Sequence, residues 1–347
     1  MHPISDKLIS WYKKNKRDLP WRNINDPYKI WLSEIILQQT QVVQGLNYYL
    51  KFTETFPTVV DLANAPEDKV MRRWQGLGYY SRARNLHAAA KAIKLNHKGK
   101  FPNTYESIKA LKGVGDYTSA AVASFAYNLP HAVVDGNVYR VLSRLFNIDT
   151  PINSTQGKKD FQLLADELLN KKHPALHNSA IMEFGALWCR PQNPKCEECP
   201  LQAQCLAFQN KTVAQLPVKD KKIKIKNRYL HYFIFNYKNY VYIQKRTEKD
   251  IWQNLYEFYL IETASPEPAE LLFKDKALKR LVSNFKVKSV TPVKKHILSH
   301  QHLYATFYEL DLKAELKNKF LLKIKRSDLN NFGLPQLINK YLNKSVS

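Results

Sequence analysis

Outside residues 189–205 the 347-residue chain has no cysteine. That rules out a scattered disulfide framework, and a reducing compartment argues against two disulfides within so short a stretch. Long apolar runs are missing as well. No stretch approaches the roughly 20 residues of a membrane-spanning helix, and the N-terminal MHPISDKLISWYKKNKRDLPW is too polar for a secretory signal. The expectation is a soluble, intracellular protein built of ordinary globular domains, since no internal repeat or low-complexity tract is visible either. Acidic residues are scarce: 30 Asp and Glu face 54 Lys and Arg, for a net charge of +24. Residues 1–215 carry 28 cations against 18 anions, and residues 216–347 carry 26 against 12, so the deficit runs through the whole chain. Such a field suits a polyanionic partner, nucleic acid before a membrane surface; the plainer alternative is a basic proteome or solubility alone.

From about residue 5 to 210, apolar residues recur at three- and four-residue spacings with short Gly and Pro punctuation, which predicts helices. DPYKIWLSEIILQQTQVVQGLNYYLKFTETFP opens on Asp26-Pro27, an N-cap and first-turn signal. In VVDGNVYRVLSRLFN, Val138, Val141, Leu142, Leu145 and Phe146 fall on one helical face. LPVKDKKIKIKNR, residues 216–228, reads as a Lys-rich connector. Beyond it the period shifts toward two: RYLHYFIFNYKNYVYIQKR predicts two strands around an Asn236–Asn239 turn, and HLYATFYELDL a third. A helical half followed by an α+β half is the simplest architecture.

What is present in concentrated form is the thiol set Cys189, Cys196, Cys199 and Cys205, spaced C-x6-C-x2-C-x5-C. Four thiolates suit tetrahedral zinc or an iron–sulfur cluster. Zinc ribbons join two C-x2-C knuckles from distant segments, whereas here a single short excursion supplies every ligand, which favours the cluster. Arg190 and Lys195 lie between the ligands, where a rigid core would hold them for phosphate contacts.

Three further constellations carry chemistry. LKGVGDYTSAAV, residues 111–122, is a hairpin with Gly113 and Gly115, whose successive N–H groups can receive a phosphate at the start of the next helix. Glu34 sits among Ile30, Trp31, Leu37 and Gln38 on a helical face, so its carboxyl is either a buried acid with a raised pKa or a structural partner for an arginine such as Arg22. Asp135 is placed as an N-cap, which by itself is also its simplest explanation. MRRWQGLGYYSRARNLH, residues 71–87, mixes Arg72, Arg73, Arg82 and Arg84 with aromatic residues; Trp74 is expected in the core and Tyr79, beside Gly78, at the surface.

Glu34 in WLSEIILQQTQV, the GVGDYT hairpin, Asp135 in VDGNV and the cysteine loop together resemble the endonuclease III superfamily of DNA glycosylases, and most closely the adenine DNA glycosylases of the MutY family. DLPWR, DPYKIWLSE, LQQTQV, GLGYYSRARNLH and VDGNVYRVLSRL occur in the family's order, so the resemblance covers nearly all of residues 5–210. It implies an all-α helix–hairpin–helix glycosylase domain over 1–215 with a [4Fe–4S] cluster on 189–205, a basic linker over 216–228, and an α+β Nudix-like lesion-recognition domain over 229–347.

The same resemblance implies hydrolysis of the N-glycosidic bond of adenine mispaired with 8-oxoguanine or guanine in double-stranded DNA. Glu34 would protonate the flipped base, Asp135 would balance the oxocarbenium-like sugar, and Tyr117 and Asn137 would support them. Gln39 and Tyr79 would enter the duplex, with Thr40 and Arg82 beside them and Gly113 and Gly115 on the backbone. Ser299 and His300 match the loop that reads 8-oxoguanine, although Leu298 stands where the family often has an aromatic residue. Bifunctional relatives carry a lysine at the position of Tyr117, so this chain is expected to leave the strand intact. The C-terminal domain lacks the acidic helix of an active Nudix hydrolase and should bind without hydrolysing; a metal on His296, His300 and His302 is not expected. A monomer in the cytoplasm or on the nucleoid, without a membrane partner, completes the expectation. A thymine/uracil mismatch glycosylase is the alternative within the superfamily, and a catalytically silent DNA-binding protein the alternative outside it.

Overall fold

A computed structural model describes residues 2–220 and 225–344. The chain divides into two compact units, Met1–Asn64 with Asn85–Lys221, and Ala65–Arg84 with Lys222–Ser347. The first is helical among its described residues, and the second holds the β-sheet. No helix among the described residues is long and apolar enough to cross a membrane.

In the helical unit, local sequence sets the boundaries. Asp26 caps the helix Pro27–Leu37 by accepting from the N–H groups of Tyr28 at 3.0 Å and Lys29 at 3.1 Å. This helix is buried at Tyr28 and at each position from Ile30 to Ile36, so it is the central element and not an amphipathic surface one. The alanine-rich helix Asp116–Tyr127 packs against it, its small residues Ala120, Ala121 and Ala123 allowing close approach. A short helix, Tyr105–Lys109, precedes it and completes the helix–hairpin–helix; a Thr104–Ser107 capping box starts that first arm. The helix Gly136–Leu145 turns its apolar stripe, Val138, Val141, Leu142 and Leu145, into a core shared with Leu8, Trp11, Phe161, Ile181 and Phe184.

Among the described residues of the second unit eight strands form one sheet: β1 (Lys226–Tyr237), β2 (Tyr240–Lys245), β3 (Tyr256–Glu257), β4 (Tyr259–Thr263), β5 (Phe285–Val290), β6 (Lys294–Ile297), β7 (Gln301–Leu312) and β8 (Leu322–Lys325). The spine runs β3-β2-β1-β7-β5, with β4 on β1, β6 on β7 and β8 on β2. β1 and β2 form the expected hairpin, closed at Tyr237 and Tyr240 with Lys238 at φ +52°. β1 and β7 pair in parallel, from Lys226 opposite Gln301 to Asn236 opposite Asp311. They are buried on both faces: Phe233, Phe235, Tyr308 and Leu310 enter one core cluster, and Phe307 stacks at 4.1 Å on Tyr341 of the helix Gln336–Lys344. Two-sided burial replaces the alternation expected of a half-exposed strand with an apolar run.

The unit boundaries differ from the single cut expected near residue 215. Residues 65–84 group with the sheet through polar contacts: Asp68 takes the Lys245 ammonium at 2.8 Å, Glu67 accepts from Asn254 at 2.7 Å, and Arg84 donates to the Gln253 carbonyl at 2.9 Å. Of the connector 216–228, residues 221–224 lie outside the described residues; Lys226 onward already belongs to β1.

Candidate active site and cysteine loop

In the helical unit a cavity of about 330 Å³ is lined by Glu34, Gln38, Gln39, Tyr117, Asp135 and Asn137, with Arg17, Arg22 and Glu183 on its wall. It brings together the four candidate catalytic residues from three helices. Glu34 is 7% exposed, and the Tyr117 hydroxyl donates to its Oε2 at 2.6 Å. Burial raises the Glu34 pKa; the Tyr117 hydrogen bond and the Arg22 charge pull it down, and Asp135 adds to the rise, with a net shift upward. Burial likewise holds Tyr117 well above its ordinary value, so it is a neutral donor. Oε2 accepts the Tyr117 hydroxyl, an arrangement that a protonated Glu34 keeps with its proton on Oε1.

Asp135 is the N-cap of the helix Gly136–Leu145. Its Oδ1 accepts from the N–H groups of Asn137 and Val138, both at 2.8 Å, and its Oδ2 from Asn137 Nδ2 at 2.8 Å. Burial raises its pKa, and the rise remains after those three donors and Arg140 pull it down. Two donors are backbone N–H groups at a helix N-terminus and the third is the Asn137 side-chain amide, surroundings that favour a carboxylate once positive charge forms nearby. Capping and chemistry are thus compatible at one residue.

Arg22 does not pair with Glu34. Its Nη1 donates to Ser179 Oγ at 3.0 Å and its Nη2 stands 4.0 Å from Glu183 Oε2. Glu183, on the helix Pro174–Leu187, was not singled out from sequence. Burial raises its pKa, but the bidentate Arg17 fork at 2.7 and 2.8 Å, with the Arg17 backbone N–H at 3.0 Å, overrides this and leaves it lowered. One cavity thus holds two buried glutamates whose pKa values are shifted in opposite directions, Glu183 down and Glu34 up. The signal in the sequence was a lone carboxylate in the apolar stretch SAIMEFGALW.

Gln39 is exposed at φ +55°, with Thr40 following it and donating its N–H to the Leu37 carbonyl at 3.1 Å. Of the hairpin glycines, only Gly113 has a left-handed backbone, φ +80°, where a Cβ would also meet Asn85 at 2.6 Å. Gly115 is extended, and the space beside its α-carbon is open.

The four cysteine thiols line one small cavity with Arg144, Trp188, Pro194, Phe208 and Val213. Arg144 Nη1 reaches Cys189 Sγ at 3.4 Å and the Arg190 carbonyl at 2.7 Å, while the Leu201 N–H points at Cys199 Sγ at 3.4 Å. Burial, opposed by the Leu201 N–H and aided by the neighbouring cysteines, pushes Cys199 up to about 11, so its deprotonation calls for a strong cation among the thiols. Among the described residues no three His, Cys, Asp or Glu side chains form a group that could hold a single metal ion. The thiols ring a cavity instead, and N–H groups aimed at sulfur fit an anionic iron–sulfur centre. Arg190 is exposed, and Lys195 lies 4.5 Å from the Trp188 ring. Arg140 links the loop to the active site, its Nε donating to the Cys189 carbonyl at 2.7 Å and its Nη2 to Asn137 Oδ1 at 2.8 Å. Cys199→Ser is expected to lose most of its bound iron and to melt at lower temperature; full iron content per chain would contradict this assignment of the ligands.

In the second unit, Trp74 is fully buried and Tyr79 is 44% exposed at φ +47°. The Tyr79 hydroxyl is 2.5 Å from Ser299 Oγ, and His300 is exposed beside it. Arg82 is half-buried, with its guanidinium 5.2 Å from the Trp74 ring and 5.6 Å from the Tyr79 ring, and burial lowers it to about 10. It builds the turn that presents Tyr79.

Residues 32–167 match the HhH-GPD superfamily of base excision DNA repair proteins, residues 189–205 the iron-sulfur binding domain of endonuclease III, and residues 230–344 the NUDIX domain. Cys189 to Cys205 thus belong to an iron–sulfur site. The adenine DNA glycosylase of Buchnera aphidicola subsp. Baizongia pistaciae (strain Bp) is 36% identical over 86% of this chain and 83% of its own. That of Mus musculus is 42% identical over 60% of this chain and 42% of its own. A solved thermostable thymine-DNA glycosylase superposes with a TM-score of 0.56 at 29% identity, covering 60% of this chain and 95% of its own.

Proposed function

Since the chain belongs to the adenine DNA glycosylase family, we propose that it hydrolyses the N-glycosidic bond of adenine mispaired with 8-oxoguanine or guanine in double-stranded DNA, acting as a monomer in the cytoplasm or on the nucleoid. The observation that carries the reading is a single cavity holding a buried carboxyl that favours its proton and a carboxyl bound by three N–H donors at a helix start. Adenine leaves the stack and enters this cavity. Glu34 gives its proton to the base, and the glycosidic bond breaks with its electron pair staying on the base. Asp135, ionised, balances the cationic sugar while Asn137 holds it in place. Water adds to the anomeric carbon and releases a proton, giving an abasic site. Gln39 and Thr40 at the cavity mouth, and Tyr79 and Arg82 in the other unit, meet the duplex; Gly113 and Gly115 meet its backbone. Ser299 and His300 read the base opposite adenine. A [4Fe–4S] cluster on the cysteines, once bound, supplies four iron–sulfur bonds that fix the loop presenting Arg190 and Lys195.

Tyr117 holds the position from which an amine would attack the sugar, and its phenol is committed to Glu34. The test uses duplexes with one 8-oxoG·A, G·A, G·T or G·U pair, each with and without alkali. Breakage at adenine only after alkali is the expected result. Breakage without alkali would show another amine at work, and breakage at T or U would move the reading to the mismatch branch represented by the thymine-DNA glycosylase.

A further inference from the structure

The second unit contains a cavity of about 540 Å³ lined by residues 76–81 with Arg84, the loop 250–252, residues 296–301, which include Ser299 and His300, and Gln336. Within the lining, the Trp252 and His296 rings link the loop 250–252 to residues 296–301. A second link is Arg228 on β1, which is 7% exposed.

All five guanidinium N–H groups of Arg228 are used. Nε and Nη2 donate to the two carboxyl oxygens of Glu262 on β4, both at 2.7 Å. Nη1 and Nη2 donate to the two oxygens of Asp250 at 2.9 and 2.7 Å, and Nη1 also donates to Gln301 Oε1 at 3.1 Å. Asp250 belongs to one wall and Gln301 to another, so one planar fork spans both while Glu262 anchors it to the sheet. The loop it clamps is itself conformationally demanding. Trp252 sits at φ +61° and Asn254 at φ +66°, non-glycine residues in a left-handed backbone, and Arg246 braces Asp250 from the other side at 2.8 Å. The Trp252 ring, buried to 7% exposure, lies 6.2 Å from His296. On the opposite wall the Leu298 N–H closes onto the Gln301 carbonyl at 2.8 Å, forming the turn that carries Ser299 and His300.

We propose that Arg228 is a positioning residue for discrimination: through Asp250 and Gln301 it sets the spacing between the Trp252 loop and the Ser299–His300 turn, and so determines how well 8-oxoguanine is told from guanine opposite adenine. This rests on the reading of Ser299 and His300 given above. Arg228 is buried and lies in the unit that does not hold Glu34 and Asp135, so its effect is expected on the choice between pairs and not on the chemical step. Lysine keeps the charge but reaches only one point where the fork reaches three partners.

The test measures single-turnover excision and binding on 8-oxoG·A and G·A duplexes with the full-length wild type, Arg228→Lys and Glu262→Gln, with thermal melting beside them. Arg228→Lys is expected to lower the preference for 8-oxoG·A on the order of tenfold, leaving the G·A rate within about twofold of wild type. Glu262→Gln keeps the volume and loosens only the anchor, so it should shift the ratio the same way by about threefold; it decides the matter if Arg228→Lys melts too early to assay. A folded variant pair with the wild-type ratio, or one that loses both substrates equally, overturns the proposal. A wild type with no preference for 8-oxoG·A would instead overturn the lesion-reading role of the Ser299–His300 turn, and this positioning role with it.

Discussion

Glu34→Gln should lower the single-turnover rate of adenine release by about 10³-fold, the contribution of a well-placed general acid, while melting no earlier than wild type. The amide preserves the volume and can still accept the Tyr117 hydroxyl that now lies 2.6 Å from Oε2, but it has no proton to give. The stability half follows from the sign of the pKa shift. A carboxyl whose pKa is raised in the folded state contributes fully below its unfolded pKa, and that contribution is lost as pH rises through the folded value. Near neutrality the wild type therefore carries a cost that glutamine lacks, and the variant should be as stable or more so. An inactive variant that also unfolds would mean Glu34 is structural; an active one would mean the proton comes from elsewhere. In the wild type, excision should fall as pH rises through the Glu34 titration, because the acid form is the working one.

Asp135→Asn is the counterpart. Asparagine is as good a cap as aspartate, and its carbonyl can still receive the Asn137 and Val138 N–H groups, so the helix start survives. What changes is charge and one contact: an NH2 group would face Asn137 Nδ2, donor against donor, where the carboxylate now accepts at 2.8 Å. We expect a loss of about 10² to 10³-fold in rate, the scale for removing one preorganised electrostatic group, with a small change in melting temperature. Burial also raises this carboxyl, so the acid side of the wild-type pH profile reports its ionisation, and that limb should vanish in the variant. A rate near wild type with the limb intact would remove Asp135 from the mechanism.

Much of this site was legible because it is written locally. A carboxylate on an otherwise apolar helical face stands out from a few neighbours, as Glu34 does, and an N-cap announces itself beside the turn it closes, as Asp135 does. The cysteine loop is likewise contained in 17 residues, 189–205. What escaped notice depends on distant pairing. Arg17 and Glu183 are 166 residues apart, and Arg228 meets Gln301 73 residues on. No periodicity marks such partners, and a lone arginine in a strand reads as a solvent-facing residue until its carboxylates arrive. The parallel pairing of β1 with β7 was hidden for the same reason: each segment is legible as a strand, but nothing in either marks the other as its neighbour.

The grouping of residues 65–84 with the sheet has a consequence for the order in which the molecule can assemble. During synthesis this segment leaves the ribosome before the sheet does, and 137 residues, 85–221, must follow before the strands that receive it. Its contacts with Lys245, Asn254 and Gln253 are therefore of high contact order, slow to close and late to form. A C-terminal fragment begun at the connector would lack the helix Glu67–Trp74 that its own sheet expects. Expressed in trans as a short peptide, that helix is the piece most apt to restore it.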